Sequence, residues 1–224
     1  MKYGSVIFDM DGVILNSLVE NEEWKFNAVE KALKHEDIDT SRLSREEMEK
    51  FLGDHGRESC INICKQYDID PGKAWKLIAE TTSLARIEQT KNGDFELYDD
   101  ARAFLEELRP RDPGLAVISN APESAVKTTM KFFNLKKYFG FYRGVESFED
   151  LKDRKPHPDH LEIAQAELKK DPSLYIGDKE SDIRAAKNAG MDSAWVKRKE
   201  FDSDVSATYE VDNLKELGRK LELI

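Results

Sequence analysis

The chain has 224 residues, of which 39% are hydrophobic and 36% charged, and its 45 acidic and 35 basic residues give a formal net charge of −10. This composition is typical of a globular protein in solution, and the acidic balance argues against nucleic acid or an anionic membrane as the main partner. No apolar run approaches the ~20 residues that cross a bilayer, and the N-terminal run is too short for a signal peptide, so we expect a cytoplasmic protein.

The first predicted element is a short strand that runs directly into two carboxylates. Residues 6–8 are Val-Ile-Phe, and the segment DMDGV follows from Asp9. Two carboxylates about 4 Å apart repel each other by roughly 4 kcal/mol at an effective dielectric constant near 20. Something in the folded protein must therefore offset the repulsion between Asp9 and Asp11.

The stretch from about residue 17 to residue 92 shows helical periodicity and no convincing strand. Ser44 begins a capping-box pattern, Asp70 precedes a proline at a helix start, and Gly93 follows the last long helix. Cys60 and Cys64 lie four residues apart in a helical pattern, where we expect two packed thiols rather than a disulfide or a zinc site.

The remainder alternates apolar strands with amphipathic helices. Strands are predicted at residues 115–118, 174–176 and 194–196, and this alternation favours a parallel sheet covered on both faces. We therefore predict the α/β class, with a doubly wound parallel sheet as the core. The core is expected to comprise residues 1–15 and 95–224, and an inserted α-helical cap is expected to comprise residues 16–94.

Three of the predicted strands end at a polar residue, namely Asp9, Ser119 and Asp178. Parallel strands present their carboxyl ends at one edge of the sheet, which is where ligands bind in open α/β folds, so these groups should meet. Lys155 lies in a segment fixed by two prolines and is a candidate cation for the same place. Asp182 follows Asp178 by four residues, so one carboxylate could bind a metal while the other supports it.

These segments together resemble the motifs of the haloacid dehalogenase-like superfamily, specifically the phosphatases with a Rossmann-like core and a helical cap inserted after the first motif. The resemblance covers nearly the whole chain, and four segments carry it in the family's order: Asp9 to Val13, Ser119-Asn120, Lys155-Pro156, and Gly177-Asp178 through Asp182.

The resemblance implies a role for each acidic residue. Asp9 would be the nucleophile that attacks phosphorus, and Asp11 would protonate the leaving group and then deprotonate the attacking water. Mg²⁺ would be held by the Asp9 carboxylate, the Asp11 backbone carbonyl and Asp178, so that the cation offsets the repulsion noted above. Asp182 would support the metal site or orient Lys155.

The remaining motif residues would bind the phosphoryl group or shape the loops. Ser119 and Lys155 would hold the phosphoryl oxygens, Asn120 would orient the Ser119 loop, and Gly12 would permit the sharp turn after the aspartates. We expect His157, which lies between two prolines, to shape its loop rather than to transfer protons.

Two segments outside the motifs carry further expectations. Arg57, in a segment that resembles the family's specificity loop, could bind an anionic group at the far end of the substrate or lie on a solvated helix start. Tyr98-Asp99-Asp100 departs from the family, in which Pro-Gly often opens the helix after the cap. The basic run at residues 197–199 is expected to be a solvated loop.

The sequence thus predicts a magnesium-dependent phosphatase that acts on a small phosphorylated metabolite, such as phosphoglycolate or a sugar phosphate, as a monomer or weak dimer. The main alternative is a mutase resembling β-phosphoglucomutase, which uses the same core. A non-catalytic binding module would have no need for the complete set of acids, serine and lysine. A receiver-type signalling domain has no place for a cap.

Overall fold

The protein is described here by a computed structural model, which covers residues 2–17, 22–198 and 204–223. The strands of this part of the chain are β1 (Ser5–Phe8), β2 (Leu15–Asn16), β3 (Glu96–Leu97), β4 (Gly114–Pro122), β5 (Phe141–Val145), β6 (Ser173–Gly177), β7 (Asp192–Val196) and β8 (Tyr209–Val211). The helices are α1 (Glu23–Lys34), α2 (Arg45–Leu52), α3 (Arg57–Gln66), α4 (Pro71–Asn92), α5 (Asp99–Leu108), α6 (Glu123–Phe132), α7 (Asp159–Leu168), α8 (Glu180–Asn188) and α9 (Leu214–Lys220). In the described ranges, no helix combines the length and the apolar character that a bilayer crossing requires.

The main sheet has the spatial order β5-β4-β1-β6-β7-β8, and every neighbouring pair is parallel. β1 lies between β4 and β6, so the chain builds the sheet first to one side of β1 and then to the other. Such a reversal of strand order leaves a crevice at the carboxyl ends of the strands. The predicted doubly wound α/β core is confirmed.

The sheet separates two apolar clusters, because successive side chains of a strand point to opposite faces. Val6 and Phe8 pack into the cluster that contains α5, α6 and α9. Ile7, between them, packs into the cluster that contains α7 and α8. The near-continuous apolar character of the interior strands follows from this burial on both sides.

Helices α1 to α4, which we call the helical insertion, lie between β2 and β3. Those two strands pair antiparallel, with Leu15 opposite Leu97, so the chain leaves and re-enters the core at adjacent positions. The helical insertion has its own apolar cluster, which Val145 and Leu151 of the core also join. The helical insertion therefore packs through apolar side chains against β5 and the segment that follows it.

The predicted helix signals are present in the described residues. Ser44 and Glu47 form the reciprocal capping box at the start of α2. Asp70 caps α4 through the backbone N–H of Lys73, and α4 ends before Gly93, which has a left-handed conformation. Cys60 and Cys64 are buried free thiols, as expected.

Some local predictions differ from the structure. β4 does not end at Ser119 but continues to Pro122, and its pairing with β5 shifts between Ile118 and Pro122. The edge strands β5 and β8 and the β2–β3 pair were not predicted.

The expectation that residues 197–199 form a solvated loop is wrong for Arg198, because this side chain is only 13% exposed. Its guanidinium lies over the ring of Tyr98 and binds both carboxylate oxygens of Asp100. Arg198 thus connects the end of β7 to the start of α5. Lys197 pairs with Glu210, and residue 199 lies outside the described residues.

Candidate active site

The carboxyl ends of β1 and β6 bring the first and last acidic motifs together. One carboxylate oxygen from each of Asp9, Asp178 and Asp182 lies within 4.8 Å of the others, and all three residues are buried. Gly12 marks the closest approach, since a Cβ atom there would lie 2.2 Å from Asp178 Oδ2, and its φ of +76° is one that side chains disfavour. Only glycine at this position lets the two loops meet.

Lys155 provides the buried cation of this cluster. Its Nζ lies 2.8 Å from Asp9 Oδ1 and 2.7 Å from Asp182 Oδ1. Nζ also donates to the Tyr175 hydroxyl at 2.7 Å and to the Ile118 carbonyl at 3.2 Å. Burial alone would lower the pKa of Lys155, but the charges of Asp182 and Asp9 outweigh it and raise that pKa above its ordinary value.

Asn120 holds the backbone of Lys155 by two hydrogen bonds in opposite directions. The Lys155 N–H donates to Asn120 Oδ1 at 2.9 Å, and Asn120 Nδ2 donates to the Lys155 carbonyl at 3.0 Å. Ser119, directly before Asn120, is 2% exposed and its hydroxyl accepts from the Ala121 N–H at 3.1 Å. The second and third motifs are thus connected through the Lys155 backbone.

Asp182 organises the turn after β6. Its Oδ2 accepts from the backbone N–H groups of Asp178 at 3.2 Å and Lys179 at 3.0 Å, while its Oδ1 accepts from the Tyr175 hydroxyl at 3.1 Å. With one oxygen on the loop and the other on Lys155, Asp182 fixes the position of the lysine relative to Asp178.

Burial destabilises the ionised forms of Asp9 and Asp178. Burial raises the pKa of Asp9 to about 6 in spite of the opposing charge of Lys155. Burial, together with repulsion by Asp9 and Asp182, raises the pKa of Asp178 to about 8. The charges of Lys155 and Lys179 oppose the rise in the pKa of Asp178 without cancelling it, so a further cation would stabilise the ionised cluster.

The donor set fits a hard divalent cation. Mg²⁺ prefers carboxylate and carbonyl oxygens, and Asp9 and Asp178 offer the former within reach of each other. Asp178 Oδ1 is buried and has no hydrogen-bond partner among the described residues, an arrangement that is costly unless a ligand completes it. Asp9 and Asp178 are therefore the residues whose carboxylates could hold the ion.

Asp11 lies at the cavity wall, where the helical insertion meets the core. Its Oδ1 accepts from the Ser17 hydroxyl at 2.5 Å and also from the guanidinium of Arg86. Burial alone would raise the pKa of Asp11, but the charge of Arg86 and the hydroxyl of Ser17 outweigh it and hold that pKa below its ordinary value.

A cavity of about 220 Å³ lies beside Asp9 and Asp11. Its core side includes Asp9, Asp11 and Ser119, and its other wall comes largely from the helical insertion. Trp75, Ile78, Ala79 and Thr82 of α4 line that wall. The volume suits a small ligand rather than a polymer.

Arg57 and His157 lie apart from this cluster. Arg57 donates to both carboxylate oxygens of Glu149 at 2.8 Å and stacks on Phe148, and it is not among the residues that line the cavity. Its binding of substrate stays a prediction. His157 is half exposed, with Nδ1 3.3 Å from Asp159.

The structure adds four side chains that sequence reasoning did not select. Tyr175 contacts Lys155, Arg86 contacts Asp11, and Arg154 and Lys179 line the cavity. Arg154 also donates to the Gly53 carbonyl at 2.7 Å and so connects the core to the helical insertion. The only local sequence signal for Arg154 and Lys179 was their adjacency to motif residues Lys155 and Asp178.

Comparison with known families agrees with this architecture. The family model described as haloacid dehalogenase-like hydrolase matches residues 6–196, which is most of the chain. The fold and site define a hydrolase with a doubly wound parallel sheet and a helical insertion between β2 and β3. The chain belongs to the haloacid dehalogenase-like hydrolase family, and the recognition from its motifs is confirmed.

Curated relatives and solved structures cover most of the chain. A phosphoglycolate phosphatase from Colwellia psychrerythraea is 26% identical over 84% of this chain and 81% of that protein. A putative pyrophosphatase PpaX from Caldanaerobacter subterraneus is 27% identical over 88% of this chain and 83% of that protein. The structure of CbbY from Rhodobacter sphaeroides with phosphate superposes with a TM-score of 0.73 at 20% identity, covers 96% of each chain, and shows a shared fold.

Proposed function

We propose that this protein is a magnesium-dependent phosphatase that hydrolyses a small phosphorylated metabolite through an aspartyl-phosphate intermediate. The observation that carries the proposal is the position of Asp9, whose carboxylate lies 2.8 Å from Lys155, beside Asp178 and at the wall of the cavity. A candidate nucleophile at the cavity wall is therefore in direct contact with a buried cation and close to a candidate metal ligand.

In the proposed mechanism, Asp9 attacks phosphorus and the bond to the leaving oxygen breaks. Asp11 gives a proton to that oxygen and later takes one from the water that attacks the aspartyl phosphate. When bound by Asp9, Asp178 and the Asp11 carbonyl, Mg²⁺ would neutralise charge on the phosphoryl oxygens. Lys155 and Ser119 would bind the other phosphoryl oxygens as negative charge shifts during transfer.

The surrounding residues would keep this arrangement rigid. Asn120 fixes the Lys155 backbone, and Asp182 fixes the Lys155 ammonium through an ion pair of 2.7 Å. Gly12 allows the loop with Asp11 to approach Asp178. Such support matters because a displacement of about 1 Å in a reacting group can slow the reaction about a hundredfold.

The division into a core of residues 1–15 and 95–224 and a cap of residues 16–94 is part of the proposal. It is supported by the paired strands β2 and β3, by the separate apolar cluster of the helical insertion, and by the wall that α4 contributes to the cavity. The cavity volume and the names of the curated relatives suggest phosphoglycolate and pyrophosphate as first candidate substrates, with sugar phosphates next.

The test is a screen of phosphorylated metabolites that measures phosphate release with Mg²⁺ and with EDTA. We expect Mg²⁺-dependent release by the wild type, loss of release in Asp9→Asn, and normal release in Asp94→Asn, an exposed change outside the cavity. Circular dichroism checks that each variant is folded. Product analysis with a sugar phosphate and its bisphosphate separates hydrolysis from a mutase reaction. Phosphate release by folded Asp9→Asn would contradict the mechanism.

A further inference from the structure

Arg86 reaches Asp11 from a position 75 residues later in the chain. It belongs to α4, the last helix of the helical insertion, and its guanidinium forms an ion pair with Asp11. The Arg86 side chain is 11% exposed and the Asp11 side chain 20% exposed, so the pair is largely shielded from solvent. Ion pairs in such places are less screened than surface pairs.

Two aromatic rings hold the guanidinium in place. Its central carbon lies 5.6 Å from the ring centroid of Trp24 and 5.4 Å from that of Phe95. Trp24 belongs to α1, and Phe95 follows α4 directly before β3. The position of Arg86 is therefore set by two parts of the helical insertion and its return to the core, rather than by the catalytic loops.

The hydrogen bonds to Asp11 reach only one of its two carboxylate oxygens among the described residues. Arg86 and Ser17 both bind Oδ1, and across the described ranges no hydrogen bond reaches Oδ2. One oxygen is therefore anchored while the other keeps its capacity to accept a proton.

We propose that Arg86 is a positioning residue that presents Asp11 as the base in the second half of the reaction, a proposal that rests on the proposed function. In that step, water oxygen forms a bond to phosphorus and the bond between phosphorus and the Asp9 oxygen breaks. The bonding electrons return to the Asp9 carboxylate, and Asp11 accepts the proton of the water. Hydrolysis of the intermediate then requires the helical insertion to be seated on the core.

This role differs from substrate binding. A residue that only binds substrate would act on formation of the Michaelis complex, whereas a residue that orients the base acts on breakdown of the intermediate. A p-nitrophenyl ester separates the two, because p-nitrophenolate leaves without protonation. Its release reports phosphorylation of Asp9, and steady-state turnover then reports hydrolysis of the intermediate.

The experiment is rapid-mixing kinetics on Arg86→Gln with p-nitrophenyl phosphate and Mg²⁺, with acid quenching to trap phosphoenzyme. We expect hydrolysis of the intermediate to slow about a hundredfold, the scale of a misplaced general base, while phosphorylation changes less than about threefold. A burst of p-nitrophenolate and accumulation of phosphoenzyme should follow. Arg86→Lys, which retains the charge, should recover part of the hydrolysis rate.

Ser124→Ala is the matched control, since it removes the 2.7 Å hydrogen bond from the core to Ser83 on the same helix but leaves Asp11 untouched. It should show no new burst. Equal slowing of both steps in Arg86→Gln, or a rise in KM alone, would overturn the proposal. Failure of the wild type to form phosphoenzyme or release phosphate would instead refute the proposed function.

Discussion

His160, in α7, is a buried histidine whose two ring nitrogens have no hydrogen-bond partner among the described residues. It is 1% exposed. Burial, reinforced by the charge of Arg143, lowers the pKa of His160 below its ordinary value. Protonation therefore favours the unfolded chain, in which the imidazole pKa is about 6.5.

We predict that the free energy of unfolding of His160→Leu, measured relative to that of the wild type, increases as the pH falls below about 6.5, because the variant lacks the destabilising protonation of His160. The sign follows because the unfolded state binds the proton more readily than the folded state. At pH 7 the variant should be as stable as the wild type or about 1 kcal/mol more stable, since it removes unpaired buried nitrogens. Urea unfolding at pH 7.0 and pH 5.5 measures both effects.

His157→Gln is the control, because the side chain of His157 is 52% exposed. It should leave the pH dependence of unfolding nearly unchanged. An equal effect of the two substitutions would show that burial of His160 is not the cause.

Individual residues differ in how far the sequence reveals them. Asp9, Asp178 and Lys155 were recognisable because each lies in a local motif at a strand end or beside prolines. Arg86 and Tyr175 were not, since the contact of Arg86 with Asp11 depends on how α4 packs, and Tyr175 reads as an ordinary apolar strand residue. Long-range contacts of this kind leave no local periodicity or spacing.

Elements show a similar contrast. The interior strands β1, β4, β6 and β7 have runs of buried apolar residues, and all four were predicted. β5 and β8 lie at the two edges of the sheet and are only partly buried, so their mixed sequences lack the apolar run. Edge position, which is a tertiary property, explains the omission.

The capping box at the start of α2 gives a prediction at this scale. The hydroxyl of Ser44 accepts from the Glu47 N–H, and the Glu47 carboxylate accepts from the Ser44 N–H at 2.8 Å. Ser44→Ala should destabilise the protein by about 1 kcal/mol in urea unfolding. Each side chain accepts a hydrogen bond from the backbone N–H of the other residue, so the two contributions should be coupled. The loss of unfolding free energy in the double variant with Glu47→Ala should therefore differ from the sum of the losses in the two single variants. Strict additivity would contradict a coupled cap.

At the scale of the whole molecule, the proposed metal site would link folding to cation binding. Asp178, with its pKa raised to about 8 by burial and by neighbouring carboxylates, costs stability when no cation is bound. We predict that Asp178→Asn is more stable than the wild type in EDTA but gains little from Mg²⁺. The wild type should gain about 2.7 kcal/mol at a Mg²⁺ concentration of a hundred times its Kd.

Thermal unfolding across a Mg²⁺ titration measures this difference, and Asp94→Asn should retain the full wild-type response. An equal Mg²⁺ response in Asp178→Asn and the wild type would place the ion elsewhere.

The pairing of Leu15 with Leu97 has a consequence for how such a protein can change over evolutionary time. Neighbouring strands are about 4.8 Å apart, so the two ends of the segment between them nearly touch. A tight hairpin turn would bridge the same gap, and longer or differently folded segments could be spliced in without altering the order of the sheet. Selectivity for a new compound can thus be acquired by exchanging the helical insertion, while the carboxylates and the lysine of the sheet edge are inherited unchanged.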